Sequence, residues 1–192
     1  THEHFPMAGD IEYRWSGQII EPNDYMAFIG RNPGDENIFI ATGDSGNGIT
    51  HGTAAGMLIS DLIVGRANPW AKLYDPSRIS LRSTPEFVRE NVNVAAQYRD
   101  YVMPGDVATP DVIPPGSGAV MRDGAKKVAV YRAADGTLHV RSAVCPHLYC
   151  IIDGNDTEKT WDCPCHGSRF DRYGKVINGP AISDLADPGA EK

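Results

Sequence analysis

Hydrophobic and polar positions fall into three successive rhythms along the chain. Up to about residue 80, short apolar runs are punctuated by glycine. There Tyr13-Arg14-Trp15-Ser16-Gly17-Gln18-Ile19-Ile20 reads as a strand, and Asn37-Ile38-Phe39-Ile40-Ala41-Thr42 as a second strand buried on both faces. Gly43-Asp44-Ser45-Gly46-Asn47-Gly48-Ile49-Thr50-His51-Gly52 follows as a Gly-rich loop. Thr53 to Val64 then predicts a helix, apolar most of the way round and stopped by Gly65 just past its end. The second rhythm is that of a linker carrying one helix. Thr84 can cap it with Pro85 in its first turn. Phe87, Val88, Val92, Val94, Ala95, Tyr98, Tyr101 and Val102 recur at three-to-four spacing, and Pro104-Gly105 ends a helix over 84–103. Residues 103–118, with four prolines and three glycines, read as an extended connector. The third rhythm is all-β. Lys126 to Arg132 is a strand, Asp135-Gly136 a hairpin turn and Thr137 to Ser142 the returning strand, with short strands at Thr160 to Asp162 and Lys175 to Ile177. The expected fold is mainly β: an α/β segment over 1–80, a linker over 81–118, and an antiparallel β-sheet domain over 119–192.

Composition narrows the function classes. The chain has 192 residues, 41% of them hydrophobic, and a formal charge of −7. Phosphate binding needs clustered Lys and Arg, and here they are scattered, so a nucleic-acid partner is not expected. The longest apolar run, Met57 to Val64, is broken by Ser60 and Asp61 and is far shorter than the roughly 20 residues of a membrane span. The opening residues Thr-His-Glu-His-Phe-Pro have neither an initiator Met nor the regions of a signal peptide. They suggest the C-terminal piece of a longer protein. His2 and His4 read as part of a frayed terminus rather than a metal pair.

Four cysteines, all between 145 and 165, mark a site. Cys145-Pro146-His147 is followed, after fifteen residues, by Cys163-Pro164-Cys165-His166. Two Cys-and-His pairs on two loops suit either tetrahedral zinc or an iron–sulfur centre in which one iron has two thiolates and the other two imidazoles. Zinc sites more often pair like ligands within one segment, which favours iron without excluding zinc.

These residues closely resemble the Rieske family. Cys145-Pro-His-Leu-Tyr-Cys150 is similar to its first cluster loop, Cys163-Pro-Cys-His-Gly-Ser168 to its second, and Asn178-Gly179-Pro180-Ala181 to the proline loop over the cluster. The resemblance implies a [2Fe–2S] cluster with Cys145 and Cys163 on one iron and His147 and His166 on the other. It also implies a disulfide between Cys150 and Cys165 that staples the loops and shields the cluster, because both cysteines come into range once the loops converge. Around them, Ser168 is expected to donate its hydroxyl to a bridging sulfide, stabilising the reduced form, and Gly179 and Pro180 to cover the cluster. Phe170 stands where high-potential members carry a tyrosine that hydrogen-bonds a ligand sulfur. The potential is therefore expected below the top of the family's range of about −150 to +300 mV. Tyr149 stands where the first loop usually has glycine, so the backbone is expected to run differently there.

The earlier Gly-rich stretch has its own resemblance. Tyr13 to Gln18 and Ile38 to Gly56 are similar to the C-terminal end of FAD-dependent amine and amino-acid oxidoreductases of the D-amino-acid oxidase and glycine oxidase type, some bacterial members of which end in a Rieske domain. The resemblance implies that Gly43, Asp44, Ser45, Gly46, Asn47, Gly48, Ile49 and Thr50 face the flavin, where a helix N-terminus suits the negative charge of reduction. No strand–Gly-x-Gly-x-x-Gly–helix element occurs, so the phosphate site of that fold is missing. FAD is thus expected only in the complete parent, and residues 1–80 as a remnant of its flavin domain. His51 reads as a loop residue.

Together these readings make the chain an electron-transfer module rather than a complete catalyst. Its expected partners are the flavin domain of the same parent and an external acceptor, with self-association through the exposed remnant and a bacterial cytoplasmic location. A complete oxidase and a zinc-stapled interaction domain are the alternatives.

Overall fold

The computed structural model describes residues 3–79 and 83–189. It divides into two compact units, residues 17–92 and residues 1–16 with 93–192. His2 lies outside the described residues, and His4 sits in an exposed turn.

In the 17–92 unit, β1 (Phe28–Arg31) and β2 (Phe39–Thr42) form an antiparallel hairpin in which Phe28 faces Thr42. Helix α1 (Gly48–Ile63) and the single turn α2 (Ala71–Tyr74) pack on it. Ala27, Ile29, Ala55 and Leu58 form the buried centre, with Ile59, Leu62 and Tyr74 around them. Gly65, at φ +71°, ends α1: its N–H donates to the Leu62 carbonyl, and that of Arg66 to the Asp61 carbonyl at 2.8 Å. Arg78 ties the unit together. Its guanidinium makes two bonds to the Asp24 carboxylate, at 2.8 and 2.9 Å, reaches the Met26 and Ala27 carbonyls, and lies 4.0 Å from the Phe28 ring centroid.

Four expectations change here. Residues 13–20 form no strand, and Tyr13 and Trp15 are about four-fifths exposed. No backbone ladder forms along them. Ser16 is instead held by side chains, its N–H donating to Glu158 and its Oγ accepting from Arg169. β2 is not covered on both faces, because a two-stranded sheet leaves Ala41 and Thr42 in water. Helix α1 starts at Gly48 rather than Thr53, so His51 belongs to its first turns and not to a loop. Helix α3 (Thr84–Gln97) passes into a tight 3₁₀ turn over Tyr98–Tyr101 and buries none of its own side chains; Phe87, Val88 and Val92 are each more than half exposed.

The other unit carries two antiparallel sheets. The first is β3 (Ser117–Asp123), β4 (Lys126–Arg132) and β5 (Leu138–Ser142). The second is β6 (Asp153–Asn155), β7 (Thr160–Asp162), β8 (Arg169–Asp171) and β9 (Val176–Asn178), in that spatial order. β4 and β7 lie where the sequence places them, and Gly136 at φ +87° makes the β4–β5 turn. β3 was not legible: Ser117 and Gly118 end the proline-rich stretch, yet Ala119 and Val120 are buried and pair with Val130 and Ala129. Trp161 joins the sheets. A Cβ on Gly118 would lie 2.7 Å from its ring, and one on Gly154 3.3 Å, so two glycines leave the notch the indole fills. Trp161 pairs with fully buried Phe170 across β7 and β8, in a core that includes Tyr131, Ile152, Cys145 and Cys163. The structure is mostly β with few helices. Among the described residues no helix is long and apolar enough to cross a membrane.

Candidate metal centre

Two loops of the four-stranded sheet's unit repeat one local design. In the first, between β5 and β6, the Cys145 N–H donates to the Cys150 carbonyl and the Tyr149 N–H returns to the Cys145 carbonyl, both at 2.9 Å. In the second, between β7 and β8, the Cys163 N–H donates to the Ser168 carbonyl at 2.8 Å and the Gly167 N–H to the Cys163 carbonyl at 3.0 Å. Each loop thus closes a five-residue turn on a cysteine, and each turn needs a left-handed residue at its fifth position. Gly167 supplies it at φ +74° and Tyr149 at φ +61°. The expected detour at Tyr149 is therefore absent: the backbone keeps the glycine conformation, at a cost of roughly 1–2 kcal/mol for a residue with a Cβ.

The loops converge on four side chains. Cys145 and Cys163 are buried free thiols. His147 is half-buried and His166 exposed; their rings meet edge to face with centroids 5.0 Å apart. Cys150 and Cys165 form the disulfide that joins the loops, with Cα atoms 6.5 Å apart. The sulfurs of Cys150, Cys163 and Cys165 all lie within 4.8 Å of one another, but the disulfide uses two of them and leaves Cys163 as the free sulfur of that group.

The two free thiols share one hydrogen bond. That bond, with others from the His147 N–H and the Ser168 hydroxyl, lets Cys145 lose its proton at about 6 despite burial. The charge this creates, together with burial, pushes the Cys163 thiol up. The pair thus loses one proton readily and the second reluctantly. Although His166 is exposed at the surface, partial desolvation of its ring, then the neighbouring His147, lowers its pKa and favours a neutral imidazole with a free lone pair. Nδ1 of His147 is buried without a hydrogen-bond partner. Two buried thiols and two facing imidazoles, one of them with a buried ring nitrogen that no protein group satisfies, form a donor set that suits a metal bound between the loops.

The surrounding residues are placed as follows. Ser168, fully buried, accepts the Ala181 N–H at 3.0 Å and turns its hydroxyl to the Cys145 sulfur. Ala181 thereby fastens the third segment, where Gly179 and Pro180 are exposed. Phe170 packs in the core and has no group to offer a sulfur. Beneath the second loop, Arg169 pairs with Asp162 at 3.0 Å and Glu158 at 2.6 Å, all three largely buried. Sequence reading missed one feature: the hydroxyls of Tyr98 and Tyr101 reach the Leu148 and Tyr149 carbonyls.

The Gly-rich segment lies in the 17–92 unit. Gly43 at φ +71°, Ser45 at +50° and Gly46 at +80° turn the chain from β2 into α1, and a Cβ on Gly43 would strike the Pro22 ring. Asp44 accepts the Gly46 N–H at 3.1 Å, while Asn47, Gly48, Ile49 and Thr50 are exposed. With Gln18, Ile20 and Thr42 this segment borders a cavity of about 370 Å³. His51 faces it, Nδ1 3.2 Å from the Asp44 carbonyl and its ring edge-on to Tyr74.

Comparison with known proteins agrees with both halves. Residues 104–188 match the Rieske [2Fe-2S] domain, and residues 1–62 match the FAD dependent oxidoreductase family. YhfW of Bacillus subtilis (strain 168), whose name describes a Rieske 2Fe-2S iron-sulfur protein, is 37% identical over 181 residues, 91% of this chain and 35% of that protein. The cytochrome b6-f complex iron-sulfur subunit 1 of Cyanophora paradoxa is 52% identical over 54 residues, 27% of this chain and 23% of the subunit. The chain thus spans about a third or less of these relatives. Among solved structures, the plasma membrane Rieske protein PetC3 of Synechocystis PCC 6803 covers 36% of this chain and 71% of its own at 30% identity, with a TM-score of 0.34. Residues 104–188 are a Rieske domain, a family defined by its [2Fe–2S] cluster, carried behind a segment that matches the FAD-dependent oxidoreductases.

Proposed function

We propose that this chain transfers single electrons through a [2Fe–2S] cluster held by Cys145 and Cys163 on one iron and by His147 and His166 on the other. The observation that carries the reading is the convergence of two like-built loops, stapled by Cys150–Cys165, on two buried thiols and two facing imidazoles. The cluster, when bound, supplies reversible one-electron oxidation and reduction. The protein's own part is to hold, shield and tune it. The buried cysteines keep water from the thiolate side, and the disulfide fixes the distance between the loops. The histidines each keep one ring nitrogen off the metal, where a proton can be held or released. Ser168 places a donor at a ligand sulfur, where it favours added negative charge.

The match over residues 1–62 and the likeness to YhfW support a parent in which this domain ends a FAD-dependent amine or amino-acid oxidoreductase. In that parent, Gly43 to Thr50 border the flavin, the flavin domain supplies electrons one at a time, and an external carrier takes them. The outer side of α1, with Met57, Ile63 and Val64 exposed, then meets the rest of the flavin domain or a second copy. The resemblance to those flavoenzymes suits a bacterial cytoplasmic location, which is part of the same proposal. The likeness to an iron-sulfur subunit of a cytochrome b6-f complex agrees with the one-electron chemistry.

Absorption, metal content and electron paramagnetic resonance test the centre together. Two irons per chain with the Rieske signal on reduction are expected, and His147→Ala or His166→Ala should abolish that signal. A colourless protein containing zinc would overturn the reading.

A further inference from the structure

Two tyrosines that follow α3 hold the first cluster loop from outside. Tyr98 donates its hydroxyl to the Leu148 carbonyl and Tyr101 to the Tyr149 carbonyl, each at 2.5 Å. They lie three residues apart on a 3₁₀ turn, where side chains at that spacing eclipse. Their rings accordingly stack, with centroids 6.5 Å apart and planes 10° from parallel, and the hydroxyls meet successive carbonyls. The turn is itself fastened to the three-stranded sheet. Arg122 of β3 donates to the Tyr101 and Met103 carbonyls at 2.7 and 2.9 Å, and buried Lys127 of β4 to the Met103 carbonyl at 2.7 Å. An unbroken series of bonds therefore runs from that sheet to the two residues after His147.

The loop needs such a hold. Its Tyr149 occupies the left-handed region at φ +61°, a conformation that persists only where the surroundings fix it. One braced carbonyl belongs to Tyr149 and the other to the residue before it. Both O–H dipoles also present their positive ends to the loop, which favours extra negative charge nearby.

We propose that Tyr98 and Tyr101 are positioning residues for the cluster, their hydroxyls fixing the His147–Cys150 stretch and raising the potential. The inference rests on the Rieske reading above. Tyr98→Phe, Tyr101→Phe and the double variant keep the stacked rings and remove only the hydroxyls; Tyr25→Phe, in the other unit, is the control. In the full chain loaded with its cluster, the double variant should show a lower midpoint potential and shifted or broadened resonance lines. Each single variant should show a smaller change, and the control none. Iron lost from the double variant but kept by the control counts for the brace as well. A double variant with the wild-type potential and spectrum overturns it. Amide hydrogen exchange at Tyr149 and Cys150 reads the brace without reference to the cluster and should become faster on the order of tenfold in the double variant. Unchanged exchange overturns the brace, whereas a wild-type chain with no Rieske signal overturns the metal reading instead.

Discussion

Replacing Ser168 with Ala separates tuning of the cluster from support of the fold. The serine is fully buried, and its oxygen serves two neighbours, accepting the Ala181 N–H at 3.0 Å and donating to the Cys145 sulfur. A hydrogen bond to a charged group contributes about 1.5–3 kcal/mol against about 0.5–1.5 for a neutral one. Reduction of the bound cluster would make the centre one unit more negative, which the Cys145 sulfur would share in part, so the bond should strengthen by roughly 1–1.5 kcal/mol. For a one-electron couple, 1.4 kcal/mol corresponds to about 59 mV. Ser168→Ala should therefore lower the midpoint potential by about 40–60 mV. Separately, the variant leaves the Ala181 N–H buried without a partner, a cost of about 1–3 kcal/mol in stability. Protein-film voltammetry reads the first effect and urea denaturation the second. A stability loss with no change in potential would show that Ser168 supports the third segment without acting on the cluster.

Further outcomes follow from other parts of the structure. Converting Cys150 and Cys165 together to Ala opens a loop of sequence separation 15 and should cost about 3 kcal/mol, with faster cluster loss in urea; equal unfolding midpoints would contradict the staple. Gly118→Ala puts a methyl group 2.7 Å from the Trp161 ring and should destabilise by about 1–3 kcal/mol, seen as a lower Tm with a blunted near-ultraviolet tryptophan signal. The Arg78 hydrogen bond holds the Asp24 carboxyl below its usual 3.8. The unfolded chain therefore takes up the proton first as pH falls. The stabilisation is complete above about 3.8 and is lost as pH drops through the lower folded value. Hydrogen exchange of the β1–β2 amides should rise over that acid window, and Asp24→Asn should remove the pH dependence.

The two converging loops were legible because chemistry constrains them: the four proposed ligands and both disulfide cysteines appear as residue types at fixed spacing. β4 and β7 were legible for a different reason, since their residues suit a buried ladder and turn signals flank them. Tyr13 to Ile20 shows the limit of that logic. Its composition suits a strand, yet a strand also needs a neighbour, and here Ser16 is held by the side chains of Arg169 and Glu158 and Ile20 by one bond from the Ser45 N–H, with no ladder between them. β3 was hidden by the prolines and glycines before it, because the reason for Gly118 lies in Trp161, more than forty residues away. Tyr98 and Tyr101 were read as part of an apolar helical stripe, and nothing local indicates that their hydroxyls would be the groups used. Tyr149 reversed an expectation: loop closure by its own N–H and the bond from Tyr101 outweigh the preference of a side chain against φ +61°.

The notch between the two sheets has a consequence for how this domain changes over evolutionary time. Positions 118 and 161 are not expected to vary independently, because a Cβ at 118 would lie 2.7 Å from the indole, whereas one at 154 would lie 3.3 Å away and ask its neighbours to give by only a few tenths of an ångström. A side chain at 118 calls for a smaller residue at 161, and restoring the indole calls for glycine at 118 first. An alignment of relatives should therefore show tryptophan at 161 occurring with glycine at 118, and a smaller residue at 161 wherever that glycine is replaced, with position 154 freer to change. That order of steps should make the pair slow to drift, even though neither residue is among the proposed metal-holding side chains.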